Sequence, residues 1–334
     1  MPITWELRDE DRELFANELD DFVPDRVYDA HAHLYRELSW LGEAPAHVSA
    51  GPSDVSLETY REQMDWIVPG REVHGLYFPF PPGDGNMDND AANEWVSEQV
   101  RKDPLARGQF LVRPTDDPEW VRDEVRRLGL RGLKPFASYS GVEPVGEAQL
   151  PSYLPESLVA VANDEEWSIT IHLVRPRGVA DPSNVHWLRT YCERYPRANL
   201  ILDHSARGFN PYHAIEGLQQ LTGYSNLWID TSVACPPLAT IAALWCLGPR
   251  RVLYGSDFFC SHIRGTNVGL NDGFAWLDED LSVWEGNPWI PTMRPVLVGL
   301  ENLRAVKAAF WALRMSDSEI ERYFWGNAAE LLRL

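Results

Sequence analysis

The stretch VYDAHAHLY (residues 27–35) places two histidines two residues apart at the end of a short apolar run. If this run is a β-strand, residues i and i+2 point to the same face, so His31 and His33 lie side by side. Asp29 lies one step earlier on that face. Two adjacent imidazoles at a strand end suit a metal ion, but they also occur by chance in a chain with nine histidines. The ends of the other strands decide between these interpretations.

Eight short runs of apolar, β-branched or aromatic residues are spread along the chain, with helix-like segments between them. The runs cover residues 26–32, 74–80, 108–114, 130–136, 168–174, 199–205, 226–232 and 251–257. The segment DDPEWVRDEVRRLG (116–129) begins with an aspartate cap and an acidic first turn, and it ends in basic residues and glycine. Strand-like runs that alternate with such helices predict βα units and a parallel sheet.

Eight units of this kind predict an α/β fold, a (β/α)8 TIM barrel, with an open doubly wound sheet as the alternative. No GxGxxG motif follows the first run, which argues against a dinucleotide-binding open sheet. We expect one barrel domain over residues 1–334, with a helical extension at 1–25 and closing helices at the C-terminus. The long segment 258–295, after the eighth strand, is either a cap over the barrel mouth or a surface excursion.

The composition excludes several classes of partner. A net charge of −20 disfavours nucleic acid and anionic membrane surfaces. The four cysteines have no CxxC spacing, so no disulfide framework is indicated. No apolar run reaches transmembrane length, and MPITWELRDEDREL (1–14) is acidic where a signal peptide is basic. We expect a cytoplasmic protein that binds neither nucleic acid nor a membrane.

Polar side chains with metal or acid–base chemistry lie at the ends of several runs. They are His31, His33, Lys134, His172, His204 and Asp257. In a barrel these ends meet at one mouth. Each residue alone has an ordinary structural explanation, but all of them together favour a divalent metal ion. Imidazoles and a carboxylate suit zinc, although manganese or iron would also fit. The lack of a cysteine ligand indicates a catalytic metal site.

This pattern of histidines on strands one, five and six, with an aspartate on strand eight, resembles the amidohydrolase superfamily of metal-dependent barrels. The motifs RVLYGSDF (251–258) and WGNAAELL (325–332) resemble its amidohydrolase-2 group, which includes aminocarboxymuconate-semialdehyde decarboxylase and several lactonases. The similarity covers residues 26–334. It implies a metal-dependent enzyme for a small molecule and, by analogy, a homodimer, but it names no substrate, because the family spans several reactions.

The resemblance implies four metal ligands: His31, His33, His172 and Asp257. Asp257 is then expected to take a proton from a metal-activated water and deliver it to the leaving group. His204 polarises the substrate carbonyl or holds a second ion. In some branches a strand-four lysine is carboxylated and bridges two ions. Lys134 is therefore such a bridge, a substrate-binding ammonium or part of an ion pair, and the count of one or two ions stays open.

Further residues near the predicted mouth suit substrate binding or support of the ligands. Guanidinium groups suit substrate carboxylates, although arginine is common in this chain. The candidates are Arg175, Arg177, Arg207 and Arg264, with Tyr139 among several aromatic residues of a ring-binding wall. Asp203 and Asp230 are candidate partners for the histidines. Asp203 points away from the site if its strand is regular.

These observations favour a metal-dependent hydrolase that acts on an amide, a lactone or a related carbonyl of a small substrate, and they leave open whether that substrate carries a carboxylate. A non-oxidative decarboxylase of an aromatic or unsaturated acid uses the same ligands and is the nearest alternative. A barrel that binds without catalysis is an alternative of another class. Water incorporation into the product, carbon dioxide release and metal content distinguish the three.

Overall fold

The fold is α/β, with strands and helices alternating along the chain. The computed structural model describes residues 4–45, 48, 50–81, 87–279, 286, 288, 289 and 292–334. The strands of this part are β1 Arg26–His33, β2 Tyr35–Arg36, β3 Asp54–Val55, β4 Glu72–Phe78, β5 Arg107–Gly108, β6 Phe110–Val112, β7 Gly132–Pro135, β8 Ser168–Ile171, β9 Asn199–Leu202, β10 Leu227–Asp230, β11 Val252–Leu253, β12 Gly265–Leu270 and β13 Gly273–Asp278.

Most α-helices follow the strands of the predicted βα units. They are α1 Asp9–Leu14, α2 Leu57–Met64, α3 Asn89–Val100, α4 Pro118–Leu128, α5 Leu150–Tyr153, α6 Glu156–Glu165, α7 Pro182–Arg194, α8 Pro211–Leu218, α9 Pro237–Leu247, α10 Val298–Leu313, α11 Asp317–Glu321 and α12 Asn327–Leu332. Two π-helical turns, Phe15–Leu19 and Arg322–Gly326, extend α1 and join α11 to α12. Across the described ranges, no helix combines the length and the apolar character that crossing a membrane requires.

Helix α4 shows how the local sequence sets the bounds of an element. Asp117 accepts hydrogen bonds from the backbone N–H groups of Glu119 and Trp120, and Pro118 occupies the first turn, where a helix needs no donor. Gly129 ends the helix with a φ of 71°, a left-handed conformation that glycine adopts without strain. The helix expected within residues 116–129 is confirmed.

Two parallel sheets contain strands from all eight predicted runs. The strand orders are β1-β4-β5 and β11-β10-β9-β8-β7-β6. In the larger sheet, Leu133 lies opposite Ile169 and Thr170 lies opposite Ile201. Every residue of β7, β8 and β10 is buried, as is usual for parallel strands that are covered on both faces. The expectation of an α/β fold with parallel strands is confirmed.

Backbone hydrogen bonds continue past the edges of both sheets. Gln109, which separates β5 from β6, donates its N–H to the carbonyl of Tyr77 in β4 at 2.9 Å. At the far edges, Asp257 donates its N–H to the carbonyl of His31 at 2.8 Å. The carboxyl end of β1 therefore lies beside the chain that follows β11, and this contact brings the candidate ligands of the two segments together.

The N-terminal extension and the segment after β11 are joined by a buried ion pair. Arg264 donates to the two carboxylate oxygens of Asp11, which lies in α1, at 3.0 and 2.6 Å, and both side chains are fully buried. The segment 258–295 contains the antiparallel hairpin β12–β13. Its residues 280–285, 287, 290 and 291 lie outside the described residues, so the segment is described only in part.

Candidate metal centre

The candidate ligands lie at the carboxyl ends of the parallel strands. His31 and His33 belong to β1, and Asp257 lies shortly after β11. His172 follows β8 directly, and Asp203 and His204 follow β9. Each of these side chains therefore reaches the same end of the sheets, as the sequence predicts.

Three potential ligand atoms converge between β1 and the chain after β11. The Nε2 atoms of His31 and His33 lie 3.3 and 3.2 Å from Oδ1 of Asp257. All three side chains are buried, and their ligand atoms lie within 4.8 Å of one another. Two imidazole nitrogens and a carboxylate oxygen are donors that zinc and similar ions accept. The donor set therefore fits a divalent metal ion.

The second ring nitrogen of each histidine is held by a hydrogen bond. Nδ1 of His31 donates to Oδ2 of Asp230 at 3.0 Å, and Nδ1 of His33 donates to the carbonyl of Pro79 at 2.9 Å. A carbonyl and an ionised carboxylate only accept, so both Nδ1 atoms carry hydrogen. Such bonds orient metal-binding histidines and leave Nε2 as the coordinating atom.

The electrostatic surroundings of the two histidines differ. Burial disfavours a charged His31, but the carboxylates of Asp203 and Asp230 outweigh it and raise the pKa of His31 to about 10. Burial lowers the pKa of His33 to about 4. Burial also favours the neutral acid of Asp257, but the charge of His31 holds the pKa of this aspartate well below its usual range. The carboxylates around His31 therefore favour a positive charge at this position, which a proton or a metal ion can supply.

Asp203 joins the site from the carboxyl end of β9. Its Oδ2 accepts from Nζ of Lys134 at 2.6 Å, and its Oδ1 lies 3.6 Å from Nδ1 of His31. Within the described residues, Oδ1 is buried and has no hydrogen-bond partner. With His31 and His204, Asp203 forms a second group of ligand atoms within 4.8 Å. Asp203 was expected to point away only if its strand is regular, and this condition is not met: β9 ends at Leu202, a left-handed turn begins at His204, and the carboxylate of Asp203 lies at the site.

Lys134 is a buried cation of β7. Its Nζ pairs with Asp203 and lies 4.5 and 5.2 Å from the ring centres of Phe78 and Phe136. A carboxylate and two aromatic faces stabilise an ammonium group. This arrangement is the ion pair that the sequence left open beside a bridging carbamate. The role of Lys134 as a metal ligand stays a prediction.

A left-handed turn, His204–Arg207, follows β9. Its four residues have φ values between 52° and 60°. This conformation costs about 1–2 kcal/mol for each L-residue, so surrounding contacts have to hold it. One of them is the hydrogen bond from the N–H of His204 to Oδ1 of Asp230 at 3.1 Å. The turn brings both His204 and Arg207 back to the candidate site.

Arg207, His172 and His204 form a directed chain of hydrogen bonds. An arginine only donates, so Nη1 of Arg207 donates to Nε2 of His172 at 3.4 Å. The hydrogen of His172 is then on Nδ1, which donates to Nε2 of His204 at 3.1 Å, and Nδ1 of His204 donates to the carbonyl of Ser232 at 3.2 Å. Burial lowers the pKa of both histidines and favours the neutral forms that this chain requires. His172 thus contacts the centre through His204, and its role as a ligand stays a prediction.

The family of the chain follows from a match that includes all of these residues. A family model described as amidohydrolase, the amidohydrolase-2 model, matches residues 28–334. This chain belongs to the amidohydrolase family. The resemblance expected from the sequence is confirmed, and so is the expectation that the protein is an enzyme of this superfamily. The chain matches no curated protein sequence.

Solved structures similar to this amidohydrolase share its fold at low sequence identity. An amidohydrolase from Burkholderia multivorans with bound HEPES is 14% identical, with a TM-score of 0.59 and coverage of 92% of this chain and 99% of that chain. The same target was also crystallised with bound zinc. A candidate 2-pyrone-4,6-dicarboxylic acid hydrolase from Pseudomonas putida is 18% identical, with a TM-score of 0.56 and coverage of 93% and 98%. The 5-carboxyvanillate decarboxylase from Sphingomonas paucimobilis is 17% identical, with a TM-score of 0.56 and coverage of 93% and 100%.

The arginines of this amidohydrolase differ in their partners. Arg175 pairs with Glu147 and Asp181, Arg177 with Glu216 and Asp272, and Arg264 with Asp11. Within the part of the chain that the structure describes, Arg207 has no carboxylate at ion-pair distance, and its buried Nε has no hydrogen-bond partner. Tyr139, another predicted substrate contact, donates to Asn89 at 2.5 Å. Arg207 is thus the candidate that lies beside the histidines with its charge unneutralised.

The hairpin β12–β13 packs beside the metal centre of the amidohydrolase. Phe209 stacks on the ring of His204 with ring centres 5.5 Å apart, and Phe274 of β13 lies 4.9 Å from Phe209. The guanidinium of Arg207 lies 5.6 Å from the ring centre of Phe274. The segment after β11 therefore contacts residues around the candidate centre, and its role as a cap stays a prediction.

Proposed function

We propose that this amidohydrolase is a metal-dependent hydrolase that uses an activated water on an amide, a lactone or a related carbonyl of a small, carboxylated substrate. The observation that carries the proposal is the convergence of Nε2 of His31, Nε2 of His33 and Oδ1 of Asp257 within 4.8 Å. Buried imidazole and carboxylate donors without a cysteine ligand are typical of catalytic metal sites.

We further propose that the parallel strands close into a (β/α)8 barrel, with β5 and β6 counting as one strand. The hydrogen bond from Gln109 to Tyr77 supports the continuity of the two sheets at one side. At the other side, Ala30 donates its N–H to Tyr254 at 2.8 Å, and Ala32 forms a parallel bridge with Phe258. A barrel places every strand end of the site around one mouth.

The metal ion is proposed to be zinc, with manganese or iron as alternatives, and the site holds one ion or two. His31, His33 and Asp257 are the proposed ligands that already lie together, and Asp203 with His204 offers donors for a second ion. A bound divalent ion supplies Lewis acidity, which lowers the pKa of water and polarises carbonyl oxygens. Zinc is favoured because these nitrogen and oxygen donors are the ones it prefers.

The two carboxylate oxygens of Asp257 have different neighbours, and we assign them different roles, metal binding to Oδ1 and proton transfer to Oδ2. Oδ1 faces His31 and His33, whereas Oδ2 lies 3.9 Å from Nε2 of His204. In the proposed reaction Oδ2 accepts a proton from the attacking water and returns it to the leaving group. The role proposed for His204, whose Nε2 faces this oxygen, is to polarise the substrate carbonyl or to hold a second ion.

The substrate is proposed to carry a carboxylate that binds Arg207. A partly buried guanidinium without a carboxylate partner is costly to keep, and an anionic ligand supplies the missing charge and acceptors. The other predicted arginines already have such partners within the protein. The cytoplasmic location and the homodimer stay predictions.

Replacement of Arg207 by Gln is expected to raise KM for carboxylated substrates about 10- to 100-fold, because a charged hydrogen bond is worth about 1.5–3 kcal/mol. Turnover of uncharged analogues should keep its wild-type KM. The control is Arg177→Gln, since Arg177 is neutralised by Glu216 and Asp272. Steady-state kinetics on matched acid and ester substrates measures KM for the carboxylated and for the uncharged substrate in each variant. An equal effect of the two variants contradicts the assignment.

The reaction class is tested in water enriched in ¹⁸O. The zinc-loaded protein is incubated with lactones and amides that carry a carboxylate and with aromatic carboxylic acids. Hydrolysis transfers ¹⁸O into the product, whereas decarboxylation releases carbon dioxide without ¹⁸O in a new carboxylate. The decarboxylase alternative is favoured by the position of Arg207 next to His172, which also suits a carboxylate at the centre itself. Release of carbon dioxide together with the decarboxylated acid, and without ¹⁸O in a product carboxylate, contradicts the hydrolase.

A further inference from the structure

Asp29 is a buried carboxylate that contacts no candidate ligand atom, yet it lies directly beneath the centre. It precedes His31 by two residues in β1 and is fully buried. Its Oδ2 accepts from the hydroxyl of Tyr60 at 2.6 Å. Its Oδ1 accepts from the backbone N–H groups of His31, at 2.9 Å, and Ser256, at 2.8 Å. One oxygen atom therefore joins two separate segments of backbone.

These two segments carry the converging ligands. His31 belongs to β1, and Ser256 immediately precedes Asp257 in the chain after β11. The N–H of Asp257 donates to the carbonyl of His31, and Asp257 itself has a left-handed φ of 50°. A left-handed aspartate needs support from its surroundings, because this conformation is uncommon outside glycine. The bond from Ser256 to Asp29 fixes the residue next to it.

The backbone of β1 is irregular at this point, which explains why a side chain is needed. The register between β1 and β4 shifts between Asp29 and Ala32, so one strand has an extra residue there. A bulge of this kind leaves a backbone group out of the strand ladder and re-aims the side chains around it. Oδ1 of Asp29 accepts the N–H of His31, which lies inside the bulge.

We infer that Asp29 is a positioning residue of the metal centre. Its Oδ1 links the two backbones that hold His31 and Asp257, and so sets the 3.3 Å separation between Nε2 of His31 and Oδ1 of Asp257. This role requires an oxygen acceptor at this position, but it does not require a negative charge. The inference rests on the proposed metal site, and it predicts how the affinity for a metal ion responds to changes at Asp29.

The test uses Asp29→Ser, Asp29→Asn and Tyr60→Phe in the full chain. A serine hydroxyl can accept from the N–H two residues later but is too short to reach Ser256 as well, so the variant loses the link between the segments. Asparagine keeps Oδ1 and therefore keeps the link between the two segments. Tyr60→Phe removes only the bond to Oδ2 and serves as the matched control. The metal is removed by chelation, and the affinity for Zn²⁺ is measured by competition with a chromophoric chelator.

We expect Asp29→Ser to weaken Zn²⁺ binding about 10- to 100-fold, as the loss of an orienting partner does at other metal sites. Asp29→Asn and Tyr60→Phe should bind Zn²⁺ as the wild type does. Equal affinity of Asp29→Ser and the wild type overturns the inference, and so does an equal loss in Asp29→Ser and Tyr60→Phe. A loss in Asp29→Asn shows that charge matters and overturns it as well.

Failure of the metal site itself has a different signature. If the wild type binds no Zn²⁺, the proposed function is wrong, whereas a wild type that binds Zn²⁺ beside an unaffected Asp29→Ser refutes only the role of Asp29. If the serine variant does not fold, Asp29→Thr replaces it, because its methyl group refills part of the lost volume while its hydroxyl is equally short. The Zn²⁺ affinities of Asp29→Thr and Asp29→Asn are then compared in the same way, and their difference tests the role of Asp29.

Discussion

An Asp257→Ala variant is expected to lose turnover by about 10³-fold or more, because it removes both a proposed metal ligand and the proposed proton carrier. Oδ1 of Asp257 is the atom that both His31 and His33 face, at 3.3 and 3.2 Å. Without it, the two Nε2 atoms have no anionic partner from the chain after β11. Zinc content by elemental analysis and turnover of a substrate found in the ¹⁸O experiment measure the two losses separately.

The matched control for this variant is Asp164→Ala, which removes an exposed aspartate that pairs with Arg122 and Arg197 and with no candidate ligand. It should keep both zinc and activity. His31→Ala should behave like Asp257→Ala, since it removes another of the three converging atoms. A zinc-loaded Asp257→Ala protein that turns over at a near wild-type rate refutes the assignment of this residue.

Replacement of Lys134 by Met is expected to lower the free energy of unfolding of the metal-free protein by about 3–5 kcal/mol. Methionine fills a similar volume, so the main loss is the positive charge. It leaves the carboxylate of Asp203 buried without the ammonium that lies 2.6 Å from its Oδ2. Urea denaturation of the metal-free proteins, followed by far-ultraviolet circular dichroism, measures the difference without a contribution from metal binding.

Two further variants separate the charge effect from other causes. Lys102→Met removes an exposed lysine whose side chain donates to the neutral Gln99, and it should leave the stability unchanged. The double variant Lys134→Met/Asp203→Asn removes both charges of the pair, so it should recover a large part of the loss. Wild-type stability of Lys134→Met would mean that the ion pair does not hold this part of the site.

The course of the strands and the convergence of His31, His33 and Asp257 could be predicted because they depend on local patterns. A buried parallel strand reads as a continuous apolar run, and each of the eight runs contains a strand. Ligands that end such strands meet at the same end of a sheet, whatever their separation in sequence. The sequence predicts the N-terminal helical extension and the position of the hairpin β12–β13 less directly, because these elements contact segments that are distant in sequence.

Other parts of the site depend on backbone irregularities or on distant partners, which single residues do not reveal. Asp203 and His204 both reach the site, which the alternation of a regular strand does not allow, because a left-handed turn of ordinary L-residues begins at His204. The bulge that gives Asp29 its partners has no glycine or proline within β1, and the glycine opposite it, Gly75, belongs to another strand. Arg207 could not be distinguished from Arg177, since the partners of Arg177 lie 39 and 95 residues away in sequence.

The ion pair between Asp11 and Arg264 has a consequence for the order in which the chain folds during synthesis. Asp11 accepts a local hydrogen bond from the backbone N–H of Arg8, but its two long-range partners are the side chain of Arg264 and the backbone N–H of Leu297, which lie 253 and 286 positions later. Helix α1 leaves the ribosome long before either partner has been made, so the carboxylate of Asp11 stays in water for most of translation. The first helix of the chain is therefore among the last to dock, and ribosome-bound chains that stop before residue 264 should leave it open to proteases.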